Sequence, residues 1–313
     1  MRLHLSTGPH LLARTSTRSI MLDVIIALLP AAAAGLYLFG LGAAVVLGSA
    51  VLSAVAAEAL WQWLAKKPIQ INDLSAALTG LLVGLNLPSS APWWLAVIGS
   101  AVAVLLVKQL FGGIGQNFLN PALAARAVLL ASWPARMTVF MLPQRLIQLG
   151  GTSAVEELDA VAKATPLAGG FSTFDLLMGN IPGTIGEVCK VAILIGFVYL
   201  VLRKVIGPQI PVVFIGTVAL MTWILGGDPL AAILSGGVLF GAVFMATDYV
   251  TNPMLFGGQC VFAVGCGVLV VLIRKFAAYP EGVTYAILLM NIVTPLIDKF
   301  SKRRIYGEVK QHG

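Results

Sequence analysis

"LSAALTG" at residues 74–80 and "LAAILSG" at residues 230–236 are near copies, each following closely on an aspartate, Asp73 or Asp228. Both stretches are too short to cross a membrane alone. A second echo runs in the same order, more weakly: "NPALAARAVLL" at 120–130 lines up with "YPEGVTYAILLM" at 279–290. The spacings, 156 and 159 residues, agree well enough to imply one duplicated unit. Five apolar segments fit within that interval, and an odd number of crossings turns the second copy over. The expected fold is therefore an all-α polytopic membrane protein, with about ten transmembrane or re-entrant helices in two inverted five-helix repeats. In such folds the binding site lies where the halves meet, near the midplane.

Composition supports the membrane assignment. Of 313 residues, 58% are hydrophobic and 11% charged, and the mean hydropathy is +0.93; soluble domains carry about 25% charged residues. The net charge of +7 does not point to nucleic acid, because Lys and Arg fall at the ends of apolar runs and no basic patch with interleaved aromatics exists. Cys189, Cys260 and Cys266 have no C-x-x-C spacing, so neither an iron–sulfur cluster nor a disulfide framework is signalled. His4, His10 and His312 are all terminal, which removes a paired-histidine haem site within the membrane. An electron carrier here would be organic.

A spanning helix needs about 20 apolar residues. Runs near 20–39, 41–64, 92–111, 187–203, 209–226, 258–277 and 282–298 meet or approach this, while 73–88, 121–134 and 229–246 are shorter or broken by Gly and Pro, as half-helices lining a site often are. No cleavage site precedes the first run, so it reads as a retained span. With the N-terminus inside, Lys66, Lys67, Lys108, Arg203, Lys204, Lys299, Lys302, Arg303 and Arg304 fall on the cytoplasmic side, with Arg274 and Lys275 dissenting. The chain then divides into a cytoplasmic arm (1–19), a first membrane repeat (20–134), an outer-face loop (135–186), a second repeat (187–300) and a cytoplasmic tail (301–313).

Two stretches could carry chemistry. "FGGIGQNFLNPALAARA" at 111–127 holds Gly112, Gly113, Gly115, Asn117 and Asn120, too irregular and polar to face lipid. Asn offers donors and acceptors to a heteroaromatic edge, so a ligand-lining loop is the preferred reading. The alternative is a tight turn in which Asn120, before Pro121, caps the next helix. "GAVFMATDYVTNP" at 241–253 ends in Thr247, Asp248, Thr251 and Asn252, equally suited to a terminating turn or to binding a cation. Asp23, Glu58, Arg126, Glu187, Lys190 and Asp228 also lie in or at the ends of spans, where ionisable groups are costly and functional by default. The tryptophans of "APWW" (91–94) suit an interfacial belt.

These stretches in this order, with "IMLDVIIALLPAAAAGLYLFG", "DLSAALTGLLVGLNLP", "DAVAKATPLA", "GTIGEVCKVAILIG" and "YPEGVTYAILLMNIVTPLID", resemble one family. It is that of RnfD, a membrane subunit of the Rnf ion-translocating ferredoxin:NAD oxidoreductase, related to NqrB of the sodium-pumping NADH:quinone oxidoreductase. The short N-terminal arm favours the former. The resemblance implies a urea-transporter-like fold in a bacterial or archaeal cytoplasmic (inner) membrane. It also implies FMN joined through a phosphoester to the threonine of a D-x-x-[ST]-G-A-T pattern, here Asp159-Ala-Val-Ala162-Lys163-Ala164-Thr165. Ala162 replaces the hydroxyl residue and Lys163 the glycine, a loss of backbone freedom that a cation beside the phosphate could offset.

A second, non-covalent flavin, riboflavin, is likewise implied, and we assign it to Gly113, Asn117, Asn120 and Arg126. Phosphate-free flavin suits a low-dielectric site, because burying a dianion is costly. Implied partners are the other subunits of the complex, among them a second covalent-FMN subunit and iron–sulfur subunits, together with a flavin transferase and membrane lipid. The implied work is electron relay coupled to Na⁺ or H⁺ movement, with Asp73, Asp228 and Asp248 as ion-path candidates and no catalytic residue of the chain's own. The rival reading is a small-solute channel or transporter on the same scaffold, since fold does not settle function.

Overall fold

The computed structural model describes residues 16–143, 172–277 and 282–301. Ser16 opens helix α1 (Thr17–Phe39) by accepting the Ser19 N–H, and Ser19 returns the bond to the Ser16 backbone. Gly40 closes α1 and starts α2 (Leu41–Leu64) at φ +64, ψ −141, a conformation that favours glycine. The two long helices therefore join with no loop between them.

After α2 come α3 (Ser75–Leu85) and α4, which runs as α-helix over Trp93–Ala101 and as π-helix over Val102–Gln109. Helix α5 (Pro121–Ser132) follows the glycine-rich loop. Beyond the residues left undescribed lie α6 (Lys190–Leu202), α7 (Gln209–Ile224) and the short α8 (Pro229–Leu234). The interruption that the sequence places within 229–246 falls at Ser235–Gly237, after which Val238–Phe240 resumes the helix and Gly241–Met245 winds as π-helix. Helices α9 (Phe256–Phe276) and α10 (Val283–Phe300) complete the bundle. Of these, α1, α2, α9 and α10 are long and apolar enough to cross a membrane.

Lipid tails are as apolar as leucine, so close packing rather than water exclusion holds such helices together. The contact surfaces accordingly use small residues: Ala27, Ala31, Ala43, Ala50 and Ala54 are buried. Gly80 faces the Ala50 carbonyl so closely that an added Cβ would lie 2.7 Å from its oxygen. Large apolar side chains such as Leu41, Leu52, Trp63, Leu202, Trp223 and Phe300 point outward, the reverse of a water-soluble surface and suited to lipid. Helix α1 packs on α6 and α5 on α10; α2 packs against α3 and α4, as α7 does against α8 and α9.

A polar seam ties the end of the first group of helices to the second. Asn86, which follows α3, donates to Leu82 O at 2.7 Å and reaches the Met245 sulfur at 3.7 Å. Asn120 Nδ2 donates to Met245 O at 3.2 Å. The backbone N–H groups of Ile185 and Gly186 donate to Leu87 O and Leu85 O. Buried backbone and amide groups that have no water to bind find their partners across this seam.

Candidate functional site: a cleft and a second cavity divided by a buried ion pair

The glycine-rich loop 111–120 and the N-terminal ends of α1, α3 and α5 surround a cleft enclosing about 870 Å³, its open mouth included. Its walls are apolar, with Met21, Val24, Leu78, Leu82, Val243 and Phe244 among them, and its polar groups are few: Ser75, Thr79, Lys108, Asn117, Asn120, Thr247 and Asp248.

Asn120 fills two roles. Its Oδ1 accepts the Ala122 and Leu123 N–H groups at 3.0 and 3.3 Å, capping α5 ahead of Pro121, while its Nδ2 holds Met245 O. Asn117 donates to Leu119 O at 3.0 Å. The capping alternative thus describes Asn120, and the same residue also forms cleft wall.

Asp248 lies in the turn beyond Met245, where it accepts from Val250 N–H at 3.5 Å and from the Thr251 hydroxyl at 3.3 Å. Its placement against the cleft pushes the carboxyl above the ordinary range, because desolvation disfavours the charged form and these two hydrogen bonds only partly restore it. Tyr249, which also lines the cleft, donates its hydroxyl to Val205 O.

Behind the cleft lies a buried ion pair. Lys108 and Glu58 are 3% and 2% exposed. The ammonium sits 2.8 and 2.7 Å from the two Glu58 oxygens and 2.6 Å from Ser75 Oγ, which uses all three of its hydrogens. The Ser75 hydroxyl passes its own hydrogen to Asp73 Oδ2 at 2.9 Å, and Ser75 N–H donates to Asp73 Oδ1 at 3.1 Å. Gln109 and Gln62, from α4 and α2, donate to Glu58 Oε1 at 2.9 and 3.3 Å. Leu74, between Asp73 and Ser75, is held at φ +63, a strained conformation for a bulky residue of the kind found where a site is over-determined.

Glu58, Gln62, Asp73, Gln109, Gly112 and Gly113 line a second cavity of about 530 Å³, its opening included, on the other side of this pair. Lys108 therefore forms cleft wall and Glu58 the wall of the second cavity.

The structure corrects the expectation for Lys108. It is no surface anchor but half of a buried ion pair, its ammonium 2.7 Å from a Glu58 carboxylate oxygen. Arg274, the dissenting cation, is likewise part-buried, with its guanidinium on Ala232 O (2.7 Å) and Ser235 O (3.0 Å) at the end of α8, where a cation offsets the helix dipole. Lys190, fully buried, donates to Gly236 O at 3.1 Å and to the Glu187 carbonyl.

Of the sequence-derived candidates, the structure brings Asn117, Asn120 and Asp248 together at the cleft and places Gly113 with Asp73 and Glu58 in the second cavity. Arg126 lies apart, donating to Asn86 Oδ1 at 2.9 Å beside a small third cavity. Asp228 is exposed and caps α8 through Leu230 N–H at 2.9 Å. Asp159, Lys163, Ala164 and Thr165 lie outside the described residues. Sequence reasoning missed Ser75, Gln62 and Gln109, although Glu58 and Gln62, four apart on an otherwise apolar helix, share a face.

Residues 4–307 match the description "NQR2, RnfD, RnfE family". The chain belongs to that family. Three curated relatives of this NQR2, RnfD, RnfE chain carry the designation D within their complexes. It is 48% identical over 320 residues to the one from the Na⁺-translocating ferredoxin:NAD⁺ oxidoreductase complex of Acetobacterium woodii, covering 99% of this chain and 97% of that protein. It is 42% identical over 326 residues to the one from the proton-translocating ferredoxin:NAD⁺ oxidoreductase complex of Clostridium ljungdahlii, covering 97% and 96%. It is 37% identical over 349 residues to the one from the ion-translocating oxidoreductase complex of Citrobacter koseri, covering 98% and 99%. With four spanning-length apolar helices among the described residues, this member of the family is a multi-pass membrane protein.

Proposed function

We propose that this chain is the flavin-carrying membrane subunit of an Rnf-type complex, relaying electrons between partner subunits in ferredoxin:NAD oxidoreduction coupled to Na⁺ or H⁺ transport. The observation that carries the reading is near full-length similarity to proteins named as subunits of such complexes. The same names favour it over a solute channel. In this reading FMN is esterified to Thr165 on the outer face, both termini are cytoplasmic, and iron–sulfur and second FMN subunits dock alongside. A flavin transferase installs the FMN. The paired contacts of α1 with α6 and α5 with α10, and the like packing around α2 and α7, support two inverted repeats.

The cleft fits a neutral flavin better than a phosphorylated one. Its walls are mostly apolar, and Lys108, the cation among its described lining residues, is already neutralised by Glu58. Asn117 and Thr247 would hold the polar ring edge and Val243, Phe244 and Leu78 its faces. When bound, riboflavin would supply one- and two-electron redox chemistry. The chain's own residues position the ring and exclude water. They also present a carboxyl, Asp248, to its surroundings.

Intact mass and denaturing-gel fluorescence of the complex, produced with the flavin transferase, test the covalent part. An FMN adduct on wild-type chain that disappears in Thr165→Val is the expected result. A colourless wild-type complex would overturn the proposal.

A further inference from the structure

We infer that residues 203–208, the turn between α6 and α7, form a lid over the cleft, and that Arg203 bound to Asp23 is the latch that holds it shut. The inference rests on the reading of the cleft as a ligand site, and it names what governs entry to that site.

The turn presents one wet face and one cleft face. Helix α6 ends at Leu202 and α7 begins at Gln209. Between them Val205 and Ile206 line the cleft, while Arg203, Lys204, Gly207 and Pro208 are exposed. Two of those four are cations, which places the outward face at the aqueous edge of the membrane rather than against lipid tails. The inward pair is apolar, like the Met21, Val24, Leu78 and Leu82 walls with which it shares the cleft.

Side chains fasten the turn on both flanks. Asp23 lies on α1 among Ile20, Met21 and Val24, which line the cleft. Its two carboxylate oxygens accept from Arg203 Nε and Nη2, each at 3.2 Å, and Oδ1 also accepts the Tyr199 hydroxyl at 2.9 Å. The planar guanidinium thus grips the carboxylate at two points. From the turn beyond Met245, Tyr249 donates its hydroxyl to Val205 O. Within the lid itself, Lys204 N–H bonds Val201 O at 3.0 Å and Val205 N–H bonds Leu200 O at 2.9 Å, the paired bonds by which a helix end closes on a left-handed residue. Here that residue is Lys204, at φ +55, where glycine is usual. The closed turn therefore carries strain, and its fastenings hold it against that strain.

The fastening to α1 is built to part. The Arg203 side chain is 56% exposed and that of Asp23 13%, so water can replace either partner and the pair opens at small cost. The Lys108–Glu58 pair on the opposite wall is buried and has no such freedom. Of the two ion pairs at the cleft, one braces it and the other releases. What passes the lid is set by the lining, a neutral and mostly apolar ring system, the class to which the proposed flavin belongs.

The test uses the purified complex carrying Thr79→Cys, a cleft-lining position, and follows its modification by a small uncharged maleimide, with the complex lacking that cysteine as blank. Arg203→Ala should raise the rate roughly threefold, and Asp23→Ala, which also frees Tyr199, about tenfold. Added choline chloride should speed modification when the latch is intact, by screening it, and should do nothing once Arg203 is alanine; general loosening of the bundle would not erase that response. Unchanged rates in both variants, or a salt response that survives Arg203→Ala, overturn the inference. Because Arg203 is exposed, its variant carries the test should Asp23→Ala fail to assemble. Release of non-covalent riboflavin, followed by fluorescence after dilution of the same complexes, separates the two proposals. Faster modification with no riboflavin bound removes the flavin reading of the cleft alone, and bound riboflavin with unaltered modification removes the latch alone.

Discussion

Replacing Asn120 by alanine should cost about 2–4 kcal/mol of stability, more than most single substitutions. Its carbonyl-type oxygen caps α5 through two backbone N–H groups at 3.0 and 3.3 Å, and such a cap contributes about 0.5–2 kcal/mol. Its amide nitrogen is the donor to Met245 O at 3.2 Å. The residue is 2% exposed, so that carbonyl loses a partner where water cannot replace it, a further cost of about 1–3 kcal/mol. Within lipid, measured side-chain bonds fall toward the lower end, about 0.6 kcal/mol on average, which is why the sum is kept near the middle of the range. Two further variants separate the parts. Asn120→Ser keeps a shorter capping oxygen but cannot reach Met245, and should lose about half as much. Asn120→Asp keeps the cap yet turns a carboxylate oxygen toward the Met245 carbonyl, and should be no better than alanine. Equilibrium unfolding of the complex in mixed micelles reads all three. If alanine falls within about 0.5 kcal/mol of wild type, or aspartate matches asparagine, the seam between the two groups of helices is not held as argued.

Gly196 on α6 faces α1 so closely that a Cβ would lie 2.3 Å from Ala27 O and 2.8 Å from the Phe244 ring. Gly196→Ala should therefore destabilise by about 1–3 kcal/mol through overpacking, seen as a lower melting midpoint. Glu58→Gln strands the Lys108 ammonium and should cost about 3–5 kcal/mol, whereas Glu58→Met with Lys108→Met should recover most of it; a double variant as unstable as the single one refutes the pairing. Asp248 has a carboxyl raised by burial, so its protonated form favours the fold. The sign follows: stability relative to Asp248→Asn is greatest at low pH and is lost as pH rises above the ordinary carboxylate value of about 4. Melting midpoints of the two complexes recorded across pH should diverge upward from there, and parallel curves would show that the carboxyl is fully hydrated.

Helix positions were legible in the sequence because apolar runs and their Gly and Pro interruptions are a strong signal for membrane segments. The breaks near 111–120 and 235–237 fall where composition places them. The roles of charged residues were much less legible. Lys108 and Arg274 lie near the ends of apolar runs, as surface anchors do, and nothing in one dimension separates a side chain that snorkels to water from one that turns inward. What turns them inward is tertiary: Glu58 is 50 residues from Lys108, and the carbonyls that hold Arg274 are exposed by an interruption at Ser235–Gly237. Asn120 shows the same limit in milder form. The Asn-Pro pair announces the cap, while the bond to Met245, 125 residues away, has no local trace.

The two groups of helices handle inward-turned cations differently, and the difference bears on where work is done. At the end of α8, Arg274 and Lys190 meet backbone carbonyls of Ala232, Ser235 and Gly236. Such partners cannot change protonation, and the cations there stabilise a broken helix by offsetting its dipole. At the start of α3, Lys108 meets a carboxylate and a hydroxyl instead. It does so between two cavities, beside a residue held at φ +63. A carboxylate costs far more to bury than a carbonyl, and a helix end could have been satisfied without it. In a proposed repeat whose halves share one plan, both ends bury a carboxylate, Glu58 and Glu187, but Glu58 grips an ammonium at 2.7 Å, whereas Glu187 lends Lys190 its backbone carbonyl. Glu187 Oε1 is held by the Thr184 N–H at 3.1 Å, so that acid braces its own turn, while Glu58 closes an ion pair between the two cavities.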